Sequence, residues 1–458
     1  MIGTPLAPPP SAAPASAAAR LSVGAGTRAL WLLCAGLLWT IPAWWEPRAI
    51  WLMVAWDAAL LAAWAYDLAT LPAPAQLHVT RTWAGSLQIG VPSHVALTVG
   101  NRSGTAVVLR LRDAAARELC REDPELRLEV SARGTATASY EVLPGERGDA
   151  TMGPAVLSWR SGLGLARRWG VAAVGQRVRV YPDLREARRL ALSVIRTTQL
   201  DLDKRRARWR TPGREFESLR DFREGDELRD VSWTATARRG RLVTRVYQPE
   251  QSQSVWLVVD AGRLTRGRVS GHRKLDHAAN AAVALAQVAM ARGDRVGLIA
   301  YGRRPQQRVA PSRGARHLRT LVDALASVRG EAVEGDHLAA ASELLQRRSR
   351  RALVVWLTEI AETAGVPDVI EGGQQVARRH LVVLAVPQPV ELSALAATAP
   401  SSSAEMYRVM AAQQTGERRV ALVHSLRQRG VLALEWAPGQ LSVALVDRYV
   451  RIKEQSLL

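Results

Sequence analysis

Three carboxylates lie where the sequence predicts the end of a buried strand or the start of a helix. Asp260 ends the apolar run SVWLVVD, Glu359 follows the run ALVVWLT, and Asp336 stands between Gly335 and a predicted helix. Ligands of open α/β sheets bind at the carboxyl ends of the strands, so we expect these side chains to converge at one edge. Carboxylate oxygens suit a hard divalent cation such as Mg²⁺. The pattern predicts either a Mg²⁺ site at this edge or an edge that is purely structural.

The elements that would position these carboxylates alternate along residues 254–458. Strands are predicted at Ser254–Asp260, Arg295–Tyr301, Ala352–Thr358, His380–Val386 and Val431–Trp436. Helices are predicted at Leu275–Arg292, Ala315–Val328, Leu338–Gln346, Val366–Arg379, Ala404–Arg429 and Leu441–Lys453. Strictly alternating strands and helices require a mostly parallel sheet covered on both faces, which is a doubly wound α/β fold.

Residues 76–182 have a different pattern, in which apolar and polar residues alternate with a period of two. Segments such as LHVTRTW, HVALTVGN and VRVYP are separated by Gly, Pro, Asn and Ser. Short strands with turn residues between them are typical of a β-sandwich of the Ig-like kind. No pattern in this region indicates catalytic chemistry.

Two apolar runs, Ala29–Trp45 and Ala49–Tyr66, are separated only by Glu46-Pro47-Arg48. A membrane-spanning helix needs about 20 apolar residues, with about 17 as the lower limit. Residues 29–66 are therefore predicted to form a transmembrane helical hairpin, in which Asp57 faces its partner helix or is protonated. The alternative is a secretory signal peptide in the first run, which the immediate second run disfavours.

The residues that flank this hairpin predict its topology. Residues 1–28 are rich in Ala, Pro and Ser and are predicted to be a disordered tail. Arg20 and Arg28 precede the first run, so the positive-inside rule favours a cytoplasmic N terminus. We therefore expect a two-pass protein of the bacterial inner membrane whose soluble domains face the cytoplasm.

The composition argues against several classes of function. The formal net charge is +20, but the arginines are spread along the chain without a basic stripe, so no nucleic-acid partner is expected. The eight histidines lack metal-ligand spacing, and the sequence has no phosphate loop or nucleophile elbow, so no catalysis is expected. The two cysteines, Cys34 and Cys120, provide no disulfide framework.

Residues 213–250, which we call the signature segment, contain eight Arg and eight Asp or Glu with aromatic residues between them. They belong to a stretch, 183–253, that is expected to link the sandwich to the α/β domain. In one interpretation their bidentate Arg–carboxylate pairs clamp the two domains together and Trp233 anchors the packing. In the other, part of the segment binds a partner, because Trp, Tyr and Arg are enriched at interface hot spots.

The signature segment resembles that of the bacterial family called Domain of Unknown Function 58. The residues that carry the resemblance, and that are expected to form the signature or interaction surface, are Arg220, Asp221, Gly225, Asp226, Arg229, Trp233, Ala237 and Arg238. The resemblance implies a membrane hairpin, a β-sandwich and a C-terminal domain similar to a von Willebrand factor A domain. It also implies a partner, because members of the family are commonly linked with MoxR-type AAA+ ATPases in assembling or activating protein complexes.

The sequence departs from the metal site of von Willebrand factor A domains. The usual Asp-x-Ser-x-Ser motif reads Asp260-Ala261-Gly262-Arg263-Leu264 in this chain, so both serines are missing. Asp336 stands at the position of the usual Thr, and Glu359 at that of the usual late Asp. The departure favours a degenerate, structural edge with no cofactor, and a retained Mg²⁺ bound by three carboxylates is the alternative.

These patterns together predict a multidomain protein with a function in protein binding. We expect a membrane-anchored adaptor or scaffold whose cytoplasmic α/β domain works with a MoxR-type ATPase and other proteins, without catalysis of its own. Two alternatives stay open at this point. One is a metal-dependent adhesion domain that faces the periplasm or the exterior, and the other is an uncharacterised enzyme.

Overall fold

A computed structural model describes residues 8–18, 23–193, 215–223, 231–248, 253–346, 350–360, 366–437 and 439–455. The chain divides into two compact units, one of Pro5–Tyr181 and one built on Pro182–Leu458. The first unit contains the apolar helices and a β-structure, and the second contains the signature segment and the α/β sheet. The protein is therefore multidomain.

The β-structure of the first unit is mostly antiparallel. Its strands are β1 (Ala15–Ala18), β2 (Val23–Ala25), β3 (Leu77–Trp83), β4 (Leu87–Gln88), β5 (Ser93–Asn101), β6 (Val107–Asp113), β7 (Glu125–Val130), β8 (Thr135–Val142), β9 (Gly148–Met152), β10 (Ala155–Arg160), β11 (Ala166–Ala172) and β12 (Gln176–Tyr181). Within the described residues, β7-β6-β10-β11-β1-β3-β5-β8 form one sheet, β2 pairs with β11, and β4-β12-β9 form a second sheet. The end strands β7 and β8 contact each other, so the larger sheet curls into a nearly closed barrel instead of an open sandwich.

The N-terminal residues correct one of the predictions. We predicted a disordered tail over residues 1–28, but β1 pairs with both β3 and β11, and β2 pairs with β11. Ala17 of β1 is buried, and a Cβ on Gly170 of β11 would lie 3.0 Å from the Ala17 Cβ. The space between these strands is therefore narrow, and the small side chains that suggested disorder are the ones that fit it.

The core of this unit includes a charged pair at an inward-facing position. Arg81 of β3 and Asp113 of β6 are fully buried and form an ion pair. The Tyr140 hydroxyl donates to Asp113 Oδ2 at 2.6 Å, and Arg81 Nη1 donates to the Val174 carbonyl at 2.7 Å. Both charges thus have additional hydrogen bonds, which is the condition under which a buried ion pair is tolerated.

The two apolar runs differ in structure. The first forms α1 (Thr27–Gly36) and then two short 3₁₀ helices, Leu37–Thr40 and Pro42–Trp44. The second forms α2 (Ile50–Thr70), and the helical stretch around it, Pro47–Gln76, is the one in the described residues that is long and apolar enough to cross a membrane. The two-helix hairpin is thus not confirmed, because α1 ends at Gly36, short of a spanning length, and Pro42 follows within the first run.

The contacts between α1 and α2 agree with the expected position of Asp57. Trp56 Nε1 donates to the Leu32 carbonyl at 3.0 Å. Asp57 is half-buried, and its Oδ1 would lie 3.2 Å from a Cβ placed on Gly36. Asp57 therefore faces α1.

Asp67, in the last turn of α2, is buried and accepts hydrogen bonds from the backbone nitrogens of Leu165 (3.0 Å) and Ala166 (2.9 Å).

The second unit begins with a helix over residues 184–193 and then the described parts of the signature segment. Strand β13 (Glu215–Asp221) pairs antiparallel with β14 (Val243–Gln248), and α3 (Trp233–Arg239) lies between them in sequence. Ser232 N donates to the Val243 carbonyl at 2.8 Å, and Val243 N donates to Thr236 Oγ1 at 3.1 Å. These bonds hold α3 against β14.

The α/β sheet of the second unit is doubly wound. Its strands are β15 (Ser254–Asp260), β18 (Arg295–Tyr301), β19 (Pro305–Ser312), β20 (Leu353–Leu357), β21 (Leu381–Pro387) and β22 (Val431–Trp436), and a short hairpin adds β16 (Arg268–Val269) and β17 (His272–Arg273). The order in the sheet is β19-β18-β15-β20-β21-β22. Strand β19, which we did not predict, is antiparallel to β18, and the other neighbours are parallel.

Helices follow the strands of this sheet. They are α4 (Lys274–Ala291), α5 (Ala315–Ser327), α6 (His337–Gln346), α7 (Val366–Ala377), α8 (Val390–Ala396), α9 (Ser403–Gln428) and α10 (Leu441–Glu454). All match predicted helices except α8. The chain leaves β15 for β18 on one side and later returns to β20 on the other, so the strand order reverses between β15 and β20. We call the carboxyl ends of these two strands the switch-point edge, where ligands of such sheets bind.

Candidate functional site

Asp260 is the last residue of β15 and lies at the centre of the switch-point edge. Its side chain is buried, and its Oδ1 accepts a hydrogen bond of 2.7 Å from Gly262 N. Its Oδ2 accepts one of 2.7 Å from the hydroxyl of Thr358, which follows β20. Burial raises the pKa of Asp260 above its ordinary value, against the opposing effects of His337 and of these two hydrogen bonds. Both oxygens of the Asp260 carboxylate thus accept hydrogen bonds from groups of the same unit.

The glycines beside Asp260 close the space around it. A Cβ on Gly335 would lie 2.7 Å from Asp260 Oδ1, and a Cβ on Gly262 would lie 2.6 Å from Gly335 N. Contacts that short do not occur in folded proteins, so both positions require glycine. The loops after β15 and before α6 therefore pack directly on the carboxylate and leave no room for an additional ligand between them.

Asp336 has a different role from the one that the sequence predicted. It precedes α6, and its Oδ1 accepts a hydrogen bond of 2.8 Å from Ala339 N. This is the geometry of a helix N-cap, in which a carboxylate satisfies a free backbone N–H of the first turn. The side chain is exposed. Asp336 therefore caps a helix.

Glu359 follows Thr358 and is held by two cations. Its Oε2 lies 2.6 Å from Lys274 Nζ, and its Oε1 lies 3.2 Å from Arg419 Nη1. The Glu359 side chain is 7% exposed and that of Arg419 is 11% exposed, so solvent screens this ion pair little. Ile360 N also donates to Glu359 Oε1 at 3.1 Å. The negative charge of Glu359 is fully compensated by side chains of α4 and α9.

These partners decide against the predicted metal site. Within the described ranges, no group of three or more His, Cys, Asp or Glu is arranged to hold a metal ion. Asp260 and Glu359 follow neighbouring strands as predicted, but Glu359 is neutralised by Lys274 and Arg419, whose charges would repel a second cation. Asp336 is used as a helix cap. In this arrangement the three carboxylates do not fit a shared Mg²⁺ site.

A buried polar chain beside Asp260 was not predicted from the sequence. The Tyr301 hydroxyl lies 2.8 Å from His337 Nδ1, and Trp356 Nε1 donates to that hydroxyl at 2.7 Å. Because an indole can only donate, the Tyr301 hydroxyl accepts from Trp356. In its second hydrogen bond, with His337 Nδ1, the donor is set by the His337 tautomer. Burial lowers the pKa of His337, which agrees with a neutral imidazole.

No local motif could have identified the partners of these groups. Lys274 and Glu359 are 85 residues apart, and Arg419 and Glu359 are 60 residues apart. In the sequence, Lys274 lies at the start of a predicted helix. Arg419 is one of several cations on another predicted helix. The one local signal was Thr358, a hydroxyl residue that directly follows a buried strand next to Glu359.

A small cavity lies beside Glu359. It has a volume of about 20 Å³, and its lining includes Thr265, Lys274, Thr358, Glu359 and Trp436. A cavity of this volume holds about one water molecule. The edge of the sheet is therefore nearly filled by its own side chains.

The described part of the signature segment is largely exposed. Trp233 is 65% exposed. Ala237 and Arg238 are also exposed on α3. Asp221 pairs with Arg241 at 2.9 Å, and Arg220 Nη1 donates to the Asp221 carbonyl at 3.1 Å. Three predicted signature residues lie outside the described residues, namely Gly225, Asp226 and Arg229.

Comparison with protein families confirms the resemblance found in the signature segment. Residues 218–417 match the family described as "Protein of unknown function DUF58". This region begins in β13 and ends within α9, so it includes the described signature residues and the switch-point edge.

Similar proteins are known from mycobacteria. "Uncharacterized protein Mb1516" of Mycobacterium bovis and "Uncharacterized protein Rv1480" of Mycobacterium tuberculosis are each 29% identical to this chain over 187 residues. The match covers 40% of this chain and 58% of each relative. Neither relative has an assigned activity in its name.

Solved structures add no argument about the fold or the function. A Caenorhabditis elegans MSP family member, WR4, is 11% identical, with a TM-score of 0.15 over 21% of this chain and 90% of its own. A β-glucosidase from Listeria innocua is 14% identical, with a TM-score of 0.14 over 23% of this chain and 16% of its own.

Proposed function

We propose that this protein, which carries a DUF58 region over residues 218–417, is a membrane-anchored adaptor that binds a MoxR-type AAA+ ATPase through its α/β unit. In this proposal the adaptor has no catalysis of its own and takes part in assembling or activating protein complexes. The observation that carries the proposal is the exposure of Trp233 on a helix that backbone hydrogen bonds hold in place.

The membrane part of the proposal is supported by the apolar surface of the two apolar runs. Large side chains there are strongly exposed, among them Trp31 (77%), Trp44 (88%), Trp51 (70%) and Leu61 (65%). An apolar surface of this extent marks an interaction with a membrane or a protein, and tryptophans are enriched at the headgroup level. We propose that both runs enter the bacterial inner membrane as a two-pass hairpin, with both soluble parts in the cytoplasm.

The protein-binding part is supported by the architecture of the second unit. Its strand order is that of doubly wound sheets, and we propose a von Willebrand factor A-like domain that binds without a metal. An adhesion function that depends on a metal is not adopted, since the carboxylates of the switch-point edge are occupied by protein donors. A binding surface elsewhere is therefore favoured, and the signature helix α3 offers one.

Helix α3 presents residue types that interfaces use. Trp233 and Arg238 are exposed on it, and Trp and Arg are among the residues most enriched at hot spots. Replacing an exposed tryptophan changes the stability of the isolated protein little. If the same tryptophan is buried in an interface, its replacement weakens binding by about 2 kcal/mol or more. Substitution of Trp233 should therefore weaken partner binding with little effect on the stability of the chain.

The test measures the affinity of the full-length chain in detergent for a purified MoxR-type ATPase from the same organism. We expect Trp233→Ala to weaken binding about 30-fold, which corresponds to ~2 kcal/mol. The matched control is Tyr407→Ala, which removes an aromatic residue that is 71% exposed on α9. Equal binding by the wild type and Trp233→Ala, or absence of binding by the wild type, would contradict the proposal.

A further inference from the structure

Two cations converge on one carboxylate at the switch-point edge. Lys274 is the first residue of α4, an 18-residue helix, and its ammonium contacts Glu359. Arg419 reaches the other oxygen of Glu359 from α9. Side-chain cations favour an anion, so the chain forms an anion site whose present occupant is its own glutamate.

Arg419 is held in this site by contacts that do not involve Glu359. Its Nη1 donates to the Ile360 carbonyl at 2.8 Å, and its Nη2 donates to the Pro387 carbonyl. Its guanidinium also lies 3.7 Å from Glu435. Because these groups fix the guanidinium, it would stay in position if the Glu359 side chain rotated away.

The same guanidinium has unused donor capacity. Arg419 Nε is buried and makes no hydrogen bond within the part of the chain that the structure describes, although Glu435 Oε1 lies 3.7 Å from it. A buried donor without an acceptor is unfavourable by about 1–3 kcal/mol in typical proteins, so a site of this kind favours a ligand that supplies one. A carboxylate is such a ligand, because it can accept two parallel hydrogen bonds from Arg.

Access to the site is provided by Lys274. Its side chain is 27% exposed, while Glu359 beneath it is 7% exposed. The start of α4 is fixed, because Lys274 N donates to the Gly267 carbonyl at 2.8 Å. A carboxylate from outside can therefore meet the ammonium of Lys274 first and exchange with Glu359 without a movement of α4.

We infer that Lys274 and Arg419 form a carboxylate-binding site, and that an acidic side chain of a partner protein replaces Glu359 in it. The inference deepens the proposed adaptor function, on which its partner rests, by naming the chemistry of one contact. The exchange conserves charge, since one carboxylate leaves the two cations as another arrives. Side-chain cations would thus serve at this edge in place of a metal.

The test removes the Glu359 side chain and adds acetate, a small carboxylate. The Glu359→Ala variant of the full-length chain in detergent leaves two buried cations unpaired, so its thermal midpoint should fall by roughly 6 °C or more. Sodium acetate at about 100 mM should then raise that midpoint by about 2–5 °C more than sodium chloride of equal ionic strength. Acetate should have no such effect on the wild type, whose site is occupied.

Matched variants make the result specific. Adding Lys274→Met or Arg419→Met to Glu359→Ala should abolish the difference between acetate and chloride. Glu334→Ala should show no difference either, because Glu334 pairs with Arg263 at 3.0 Å near the surface, where that Arg is 53% exposed. If Glu359→Ala does not fold, Glu359→Gly in the same salts is the second variant, and its refolding yield in acetate is compared with that in chloride.

An equal response of Glu359→Ala to acetate and chloride would overturn the inference, and so would an acetate effect that survives the loss of both cations. No ATPase is present in this experiment. Its failure therefore leaves the proposed adaptor function standing, and failure of the ATPase binding test leaves the carboxylate site standing.

Discussion

The hydroxyl of Thr358 donates a hydrogen bond of 2.7 Å to Oδ2 of Asp260. The two residues follow β20 and β15, the neighbouring strands between which the strand order reverses. This bond joins the two halves of the sheet at the point where ligands of such folds bind. The bond also engages Asp260 Oδ2, an oxygen that a metal would need as a ligand. The polar groups of this edge are therefore bonded to one another.

Replacing Thr358 with valine tests how much this bond contributes. Valine keeps the shape of threonine but leaves the buried Asp260 Oδ2 without its donor. We expect the free energy of unfolding of the second unit to fall by about 1–3 kcal/mol. The measurement is hydrogen–deuterium exchange of the amides of β15 and β20.

Thr358→Ser is the matched control for this substitution, because serine keeps the hydroxyl. We expect it to retain most of the protection in β15 and β20. If Thr358→Val kept the protection and Thr358→Ser lost it, the methyl group rather than the hydrogen bond would be the important contact.

The neutral His337 predicts a pH dependence of stability. Burial lowers the pKa of His337 below its ordinary value of 6.5, so the unfolded chain takes up a proton at a higher pH than the folded chain does. The stability that depends on neutral His337 is therefore present above about pH 6.5 and declines as the pH falls through the folded pKa. The nearby carboxylates Asp260, Asp336, Asp368 and Glu334 oppose this shift.

Asp260 acts in the opposite direction, because burial raises its pKa. The folded chain keeps that proton where the unfolded chain has lost it, so this contribution declines as the pH rises. His337→Asn removes the histidine effect, and its amide can still form a hydrogen bond with Tyr301. Relative to the wild type, we expect its free energy of unfolding to fall less as the pH drops from about 7 to about 5.

Urea denaturation at several pH values measures this difference. His424→Asn is the control, because His424 is exposed on α9 and should follow the wild type. A profile for His337→Asn that parallels the wild type would show that His337 is not the group responsible.

The C-terminal helix α10 is held to the sheet by a second buried carboxylate. Asp294 is fully buried and accepts hydrogen bonds of 2.5 Å from both Lys453 Nζ and the Tyr449 hydroxyl. Lys453→Met would leave Asp294 without its cation, so we expect a loss of about 2–3 kcal/mol in stability. Increased hydrogen–deuterium exchange in α10 would report it.

Arg451→Met provides the matched control on the same helix. Arg451 pairs with Asp447 at 2.9 Å, but both side chains are more than half exposed, at 64% and 55%. Exposed pairs contribute little, so this variant should lie within about 0.5 kcal/mol of the wild type. Equal effects of the two substitutions would mean that burial of Asp294 does not set the strength of its ion pair.

Cys34 reports on the membrane proposal. It is exposed on α1 in the isolated chain, so only lipid would shield it. In a Cys120→Ser background, a membrane-impermeant maleimide should leave Cys34 unlabelled in vesicles of either orientation and label it after denaturation in detergent.

Ser401→Cys, in the exposed loop before α9, is the positive control for the reagent. With both soluble parts in the cytoplasm, it should react in inside-out vesicles and not in right-side-out vesicles. Labelling of Cys34 in intact vesicles would place α1 outside the membrane and contradict the two-pass arrangement.

Hydrophobic periodicity predicted the sheet of the second unit well, because a buried strand or helix is determined largely by residues close to it in sequence. Runs such as Ser254–Asp260 and Arg295–Tyr301 coincide with β15 and β18. The misses have local causes. Strand β19 carries the polar residues of an edge strand, and β1 consists of Ala and Ser, which lack an apolar period.

The sequence by itself determined the membrane-length helix α2, the alternating α/β elements and the DUF58 signature, since each depends on residue types at short spacing. Only the tertiary structure decided what the carboxylates do. Asp260 accepts a hydrogen bond from the hydroxyl of Thr358, 98 residues away in sequence. Glu359 pairs with cations of two helices. Whether a carboxylate binds a metal, caps a helix or pairs with a cation depends on groups that folding brings within about 3 Å, and sequence spacing carries no record of them.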